Sequence, residues 1–240
     1  MNATIDTRTH IFFLCKFFEN ESYATDFMKG QLYANKLSYF QRLEESSNVR
    51  GDTHEGIISW QQPEMVKIII NGIDISNDLA GPAFMSSNRL REFNVICMHA
   101  GYVENYTDCS IEDLEQIRKR LLIPEECKKF GEIAVVITNQ VEFFKRIKAK
   151  ADSCEYGFAR SLVEYYDPNI FHGHFHGIMG AFKKQAKFRF EREYRIVFET
   201  GSIGDKPIKL DIGDIEDIAM RINIDEINRN MTIVESAHQA

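Results

Sequence analysis

The 240-residue chain contains no CxxC pair, and its five cysteines, Cys15, Cys97, Cys109, Cys127 and Cys154, are odd in number and scattered. Reduced thiols are expected, which sets aside a disulfide framework or a zinc ribbon. No run of about 18 apolar residues is present, so no membrane-spanning helix is expected. The leading MNATIDTRTHIFFLCKFF is polar and acidic before its apolar residues and shows no small-residue cleavage site. That argues against a secretory signal and for the cytoplasm. No GxGxxG, P-loop, HExxH or GxSxG signature occurs, which sets aside Rossmann dehydrogenase, kinase, zincin and α/β-hydrolase chemistry. No Pro/Ser/Gly-rich linker, internal repeat or low-complexity segment interrupts the chain. Residues 1–240 therefore read as one domain that closes on an acidic segment, 211–240.

What is present is a globular composition, 44% apolar and 27% charged. The net charge of -7 is uneven, because residues 211–240 hold seven acids against Arg221 and Arg229. Basic segments run the other way, at Lys145, Arg146, Lys148 and Lys150 and at Lys183, Lys184, Lys187, Arg189, Arg192 and Arg195. Overall acidity weighs against non-specific nucleic-acid binding, while a small basic mouth still suits one strand or one nucleotide.

Periodicity places the elements. HIFFLCKFF reads as a buried strand, ENESYATDFMKG as a short helix ending at Gly30, and QLYANKLSYFQRLEESSNVRGDTHEG as a short strand, a turn and an acidic loop. Asn71-Gly72 between β-branched runs suits a type I′ hairpin. FNVICMHA and EIAVVIT read as core strands. Ser110 with Asp113 opens an amphipathic helix through Leu122, and NQVEFFKRIKAK reads as another with Phe143, Phe144 and Ile147 inward. Further strands are expected around Ile208 to Leu210, with a short segment near Ile215. Strands and helices interleave without regular βαβ spacing, which gives a mixed α+β class.

The stretch KQAKFRFEREYRIVF, Lys184 to Phe198, carries the chemistry. Phe188, Phe190, Tyr194, Ile196 and Phe198 fall on one parity and Arg189, Glu191, Glu193 and Arg195 on the other, so a half-buried strand from Phe188 to Glu199 is expected. In extended chain Glu191 and Glu193 project to one face about 7 Å apart, within reach of one substrate. One acid of such a pair hydrogen-bonds a ribose hydroxyl as positive charge develops at the anomeric carbon. The other takes a proton from the attacking group. The same pattern also suits an idle face whose Glu and Arg pair across strands.

Lys184-x-x-x-Phe188-x-x-Glu191-x-Glu193-Tyr194-Arg195 resembles the closing signature of a widespread bacterial family, in which a lysine and an aromatic precede an E-x-E-aromatic-R strand. Leu32-Tyr33-x-Asn35-x-Leu37-x-Tyr39-Phe40, Gly51-Asp52-x-x-Glu55-Gly56 and Asn94-Val95-Ile96-Cys97 resemble that family's opening strand, acidic loop and central strand. The family's fold is similar to that of ADP-ribosyltransferases, including DarT-like toxins that modify nucleic acid and defence toxins that modify messenger RNA. His99 stands where the family often has a small hydroxyl residue, and residues 100–130 and 211–240 have no counterpart.

The resemblance implies a mostly antiparallel split sheet with flanking helices, NAD as the consumed substrate, and a toxin of phage defence with an antitoxin partner. Glu193 and Glu191 are then the catalytic pair, Arg50 and Asp52 the phosphate-holding loop, and Tyr33 and Tyr39 the stacking aromatics. Asn35, His99 and Arg195 join them as NAD contacts. Lys183, Lys184 and Lys187 supply a rim for nucleic acid, with single-stranded RNA favoured over DNA. Phe171-His172-Gly173-His174-Phe175-His176-Gly177 stays open as a loop, a substrate contact or a metal site; no acidic fourth ligand lies beside it, and no metal is assigned. Two rival readings remain: a non-enzymatic interaction protein on the same fold, and a metal-dependent nuclease using the three histidines.

Overall fold

The computed structural model describes residues 9–46, 54–76, 79–104 and 111–234. The first half of the chain runs β1 (His10–Phe18), α1 (Glu21–Met28), β2 (Gln31–Lys36), α2 (Leu37–Ser46), β3 (Ile57–Gln61), β4 (Ile69–Ile70), β5 (Ile73–Asp74), β6 (Ala83–Ser86), α3 (Asn88–Arg91) and β7 (Asn94–Val103). The second half runs α4 (Ile111–Leu121), β8 (Ile133–Ile137), α5 (Gln140–Ser153), β9 (Gly157–Leu162), β10 (Glu164–Tyr166), β11 (Gly173–His174), β12 (Lys183–Gln185), β13 (Glu193–Glu199), β14 (Ile208–Asp211), β15 (Ala219–Asn223) and α6 (Ile224–Asn230). The class is mixed α+β, as the interleaving predicts. Among the described residues no helix is long and apolar enough to cross a membrane.

Eight strands form one antiparallel sheet, ordered β14-β2-β7-β1-β8-β15, with β13 on the other edge of β7 and β9 beyond it. β7 is its spine, because two strands share one of its edges: β1 pairs from His10↔Val103 to Cys15↔His99, and β2 pairs at Asn35↔Val95 and Lys36↔Asn94. In the fork between them the Lys16 ammonium donates to the Cys97 carbonyl at 2.9 Å, satisfying a backbone acceptor that no strand reaches. The sheet's two faces differ. Met98, Ile96, Tyr194, Ile196 and Phe198 line one, and α1 and α5 cover it with Ala24, Phe27, Phe143 and Ile147. The opposite parity presents Val95, Cys97 and His99 of β7 beside Val197, Arg195 and Glu193 of β13. A second layer packs there, formed by the β11-β3-β6 sheet, the parallel β10-β12 ribbon and short 3-10 turns.

Local signals account for much of this. α1 starts at Asn20, whose side chain accepts the Ser22 N–H, and ends before Gly30 at φ 79°. The Asn71-Gly72 turn has both residues at positive φ, 51° and 81°, between paired Ile70 and Ile73. α5 buries Phe143, Phe144 and Ile147 as its periodicity predicts. Three expectations are corrected. Residues 37–46 form α2 rather than a turn, because Leu37 and Gln41 fall one helical turn apart and both are buried. The last strand of the large sheet begins at Ala219 instead of near Ile215, a residue buried where its N–H meets the Met28 carbonyl.

The third correction bears on the site. The strand expected from Phe188 starts only at Glu193; residues 186–191 are a 3-10 turn, and Arg192 is left-handed at φ 46°. Its guanidinium clamps that turn by donating to the Ala100 and Tyr102 carbonyls of β7. From Glu193 to Phe198 the strand is buried on both faces, so its charged side is interior rather than exposed.

Gly30 permits a test of this packing. A Cβ there would sit 1.8 Å from the Gly213 carbonyl oxygen, a backbone atom that cannot rotate away, at a φ that costs L residues about 1–2 kcal/mol by itself. Gly30→Ala should therefore lower unfolding stability in urea by at least about 2 kcal/mol. A loss under about 0.5 kcal/mol would mean that the contact between residues 30 and 213 is not closed as described.

Candidate active site

The layer on β13 holds a continuous ionic cluster. Strand alternation sends Glu193 and Arg195 to the same face. β12 delivers Lys184, the 3-10 turn ends on Glu191, and Glu55 comes from the turn before β3. Arg195 uses all five of its donors: Nε and Nη2 to the two Glu193 oxygens at 2.7 and 3.1 Å, Nη1 and Nη2 to the two Glu55 oxygens at 2.7 and 2.5 Å, and Nη1 to the Ala181 carbonyl at 2.7 Å. Lys184 Nζ donates to Glu191 at 2.5 Å and Glu193 at 3.3 Å, lies 4.0 Å from Glu55, and sits 4.6 Å above the Phe188 ring. None of these five side chains is more than 9% exposed, and three carboxylates face two cations.

That imbalance divides the carboxylates. Burial pushes Glu193 up, but Arg195 and Lys184 outweigh it and hold the carboxyl well below the usual range. Glu191 goes the other way: burial outweighs Lys184, the charge of Glu193 adds to it, and its pKa is raised. Burial opposes the charge on Lys184, yet the three carboxylates around it keep the ammonium protonated far above neutrality. One acid is thus locked ionised two residues from one biased toward accepting a proton, the split that acid and base roles require.

The surroundings fix this geometry. His99 is 3% exposed and its Nδ1 meets the Glu191 carbonyl at 2.9 Å. A carbonyl only accepts, so Nδ1 carries the proton, and Nε2 is a bare acceptor with no hydrogen-bond partner among the described residues. Phe13 and Phe17 rings lie 6.4 and 5.5 Å from the imidazole. Burial drives its pKa down to about 4, which leaves it neutral at physiological pH. The Glu193 N–H donates to the Tyr165 hydroxyl at 2.8 Å. Gln41 donates to the Glu55 carbonyl. Burial, reinforced by Glu193, raises the Cys97 thiol well above its ordinary value, so it stays a thiol rather than a nucleophile.

Of the residues expected from sequence, Glu191, Glu193 and Arg195 come together, and His99 touches the Glu191 backbone from below as an interior group. Asn35 and Tyr33 lie on β2 and Tyr39 on α2, outside the cluster, with both tyrosines exposed. Arg50 and Asp52 lie outside the described residues. The basic rim is corrected for Lys184, which is an interior ion because three carboxylates need its charge. Lys183 pairs with Glu164 and covers the Phe175 ring at 5.4 Å, and Lys187 is exposed over the Phe188 ring at 4.7 Å. His172 accepts the Gln62 N–H at 3.2 Å, and His174 lies 3.4 Å from the Gln61 amide. Among the described residues no group of three or more His, Cys, Asp or Glu is placed to hold a metal ion.

Sequence reasoning missed Tyr165, Gln41 and the part Glu55 plays. The acidic-loop motif marks Glu55, but nothing local marks its partner, Arg195, 140 positions away. Lys184 did carry a signal, as the opening lysine of the Lys184-x-x-x-Phe188-x-x-Glu191 pattern, but Lys183, Lys187 and Arg189 around it hid that it alone is interior. No family model matches the chain, and neither a curated protein nor a solved structure matches it.

The buried imidazole makes a pH test. His99 titrates near 4 folded and near 6.5 unfolded, so between these values the unfolded chain holds the extra proton and stability falls as pH drops through that window. Glu193 adds loss only below about 4.3, the unfolded glutamate value, because its depressed pKa gives stability that is present above it and lost beneath it. Glu191 has the opposite sign, its contribution being lost as pH rises through its raised value. From pH 7 to 4.5 the wild-type protein should lose about 2 kcal/mol in urea titrations that His99→Gln does not lose. An equal loss in both would assign the effect to other groups.

Proposed function

We propose that the protein is an NAD-dependent ADP-ribosyltransferase of the toxin type, modifying nucleic acid, single-stranded RNA before DNA, in phage defence. A cytoplasmic location and a neutralising antitoxin belong to the same reading. The observation that carries it is the unequal pair: Glu193 held ionised by Arg195 and Lys184, and Glu191 beside it with a raised pKa. The sequence resemblance around Lys184 to Arg195 supplies the substrate.

In this reading the Glu193 carboxylate accepts a hydrogen bond from the ribose 2′-hydroxyl and stabilises positive charge at the anomeric carbon. The bond to nicotinamide breaks, and its electron pair stays on the ring nitrogen as neutral nicotinamide leaves. The acceptor's nucleophilic atom bonds to the anomeric carbon and gives its proton to Glu191, whose raised pKa makes its carboxylate the better base. Lys184 and Arg195 keep Glu193 charged and aimed, so the field exists before the reaction begins. Tyr33, Tyr39, Asn35 and Arg50 remain proposed contacts to NAD.

A second reading is favoured by the depth of the cluster. With all five ions interior, the network also serves as a clamp between β13 and the turn before β3, on a protein that binds rather than reacts. Nicotinamide release from NAD in the presence of total RNA separates the two. The transferase reading expects release by the wild-type protein, a loss of at least about 100-fold in Glu193→Gln, and a larger effect of Glu191→Gln on transfer than on NAD hydrolysis. Glu55→Gln is the comparison: it loosens the Arg195 clamp and should lower the melting temperature, while the turnover of the protein that stays folded falls less than in Glu193→Gln. Folded wild-type protein that releases no nicotinamide leaves only the clamp.

A further inference from the structure

The β10-β12 ribbon links the buried carboxylates to an aromatic concavity. Its strands run parallel and pair Glu164 with Lys183, Tyr165 with Lys184 and Tyr166 with Gln185. Tyr165 thereby has its hydroxyl on the Glu193 N–H and also lines a concavity of about 370 Å³. That volume lies at the lower end of the roughly 300–1,000 Å³ typical of small-ligand sites. Phe171 and Phe175 stand stacked in its wall, 4.6 Å apart and 14° from parallel, and Arg189 lies 5.7 Å over the Tyr165 ring.

Its polar groups are asymmetric. Lys183 is committed to Glu164 and to the Phe175 face, so it is not a free donor. Asp167 is exposed; its Oδ1 accepts the Asn169 N–H at 2.9 Å, and Oδ2 has no protein partner among the described residues. The concavity therefore offers aromatic surface and an uncommitted carboxylate acceptor. A flat ring bearing amino donors answers both: it stacks on aromatic faces and donates to the carboxylate. Uracil fits worse, since its single N–H lies between two carbonyls that face the carboxylate unfavourably.

We infer that this concavity receives one unpaired nucleobase carrying an amino group, adenine, guanine or cytosine, with Tyr165 as the wall between that base and the Glu193 strand, and that this base is the acceptor of the transfer. Its place in the reaction rests on the transferase reading; the binding itself does not.

Trp60, the only tryptophan of the chain, reports on the site, because its indole N–H donates to the Pro168 carbonyl at 2.8 Å and its ring lies 5.9 Å from Tyr166. Its emission should change saturably on titration with AMP, GMP and CMP without NAD, and UMP should bind at least about 10-fold more weakly. Asp167→Asn keeps an oxygen for the Asn169 N–H while replacing the uncommitted acceptor with a donor, so it should bring all four nucleotides within about 3-fold of one another. Phe171→Leu keeps apolar bulk without the ring and should weaken the three amino-bearing nucleotides by about 5-fold or more. No saturable change with any nucleotide, equal affinity for all four in the wild-type protein, or unaltered discrimination in Asp167→Asn overturns the inference. Intact nicotinamide release without base binding removes only this site, and base binding without nicotinamide release removes only the transferase.

Discussion

The Arg195 guanidinium, buried and fully hydrogen-bonded, is the interaction on which the rest depends. An isolated ion at that depth would cost several kcal/mol in lost hydration, and one unmet N–H would leave much of that cost standing. Every donor is met, and the partners come from separate elements: Glu193 on the same strand, Glu55 from the turn entering the small sheet, and the Ala181 carbonyl from a 3-10 turn. One side chain thus sets the position of the second layer against the large sheet. Apolar side chains hold such layers together as well, but without direction; the planar fork of arginine adds register.

β7 supplies the complementary constraint. On one edge it hosts β1 and β2, and on the other β13 from Asn94 to His99. Its far half then holds the turn that carries Glu191, through the His99 imidazole, the Ala100 N–H on the Arg192 carbonyl at 2.9 Å, and the Arg192 contacts to Ala100 and Tyr102. A left-handed arginine is strained by about 1–2 kcal/mol, and these bonds keep it there. The left-handed residue separates Glu191 from the strand and leaves it on Lys184, where burial raises its pKa against the ammonium and Glu193 adds to the rise.

The basic segments show a similar effect of context. On α5, Arg146 pairs with Glu142 and Asp217, Lys145 with Glu142, and Lys148 with Asp152, so most of its cations are answered by neighbours. Exposed pairs of this kind contribute little to stability but remove the field a nucleic-acid strand would sense. Recognition by shape and stacking, as proposed for the Tyr165 concavity, fits an acidic protein better than recognition by charge.

Periodicity by itself determined the elements whose signal is local. β1, β7, β8, α5, the end of α1 at Gly30 and the Asn71-Gly72 turn are each specified by residues within a few positions, and α+β follows from their order. It also marked Glu191, Glu193 and Arg195 as a chemically unusual group. Only the tertiary structure decided where that group stands. Alternating aromatic and charged residues read alike in a half-exposed strand and in a 3-10 turn followed by a buried one. What separates them is the left-handed Arg192, held by carbonyls about 90 positions away. Glu55 and Tyr165 join the cluster from distant segments for the same reason: a buried ion takes its partners wherever the fold places them, and sequence spacing carries no record of that choice.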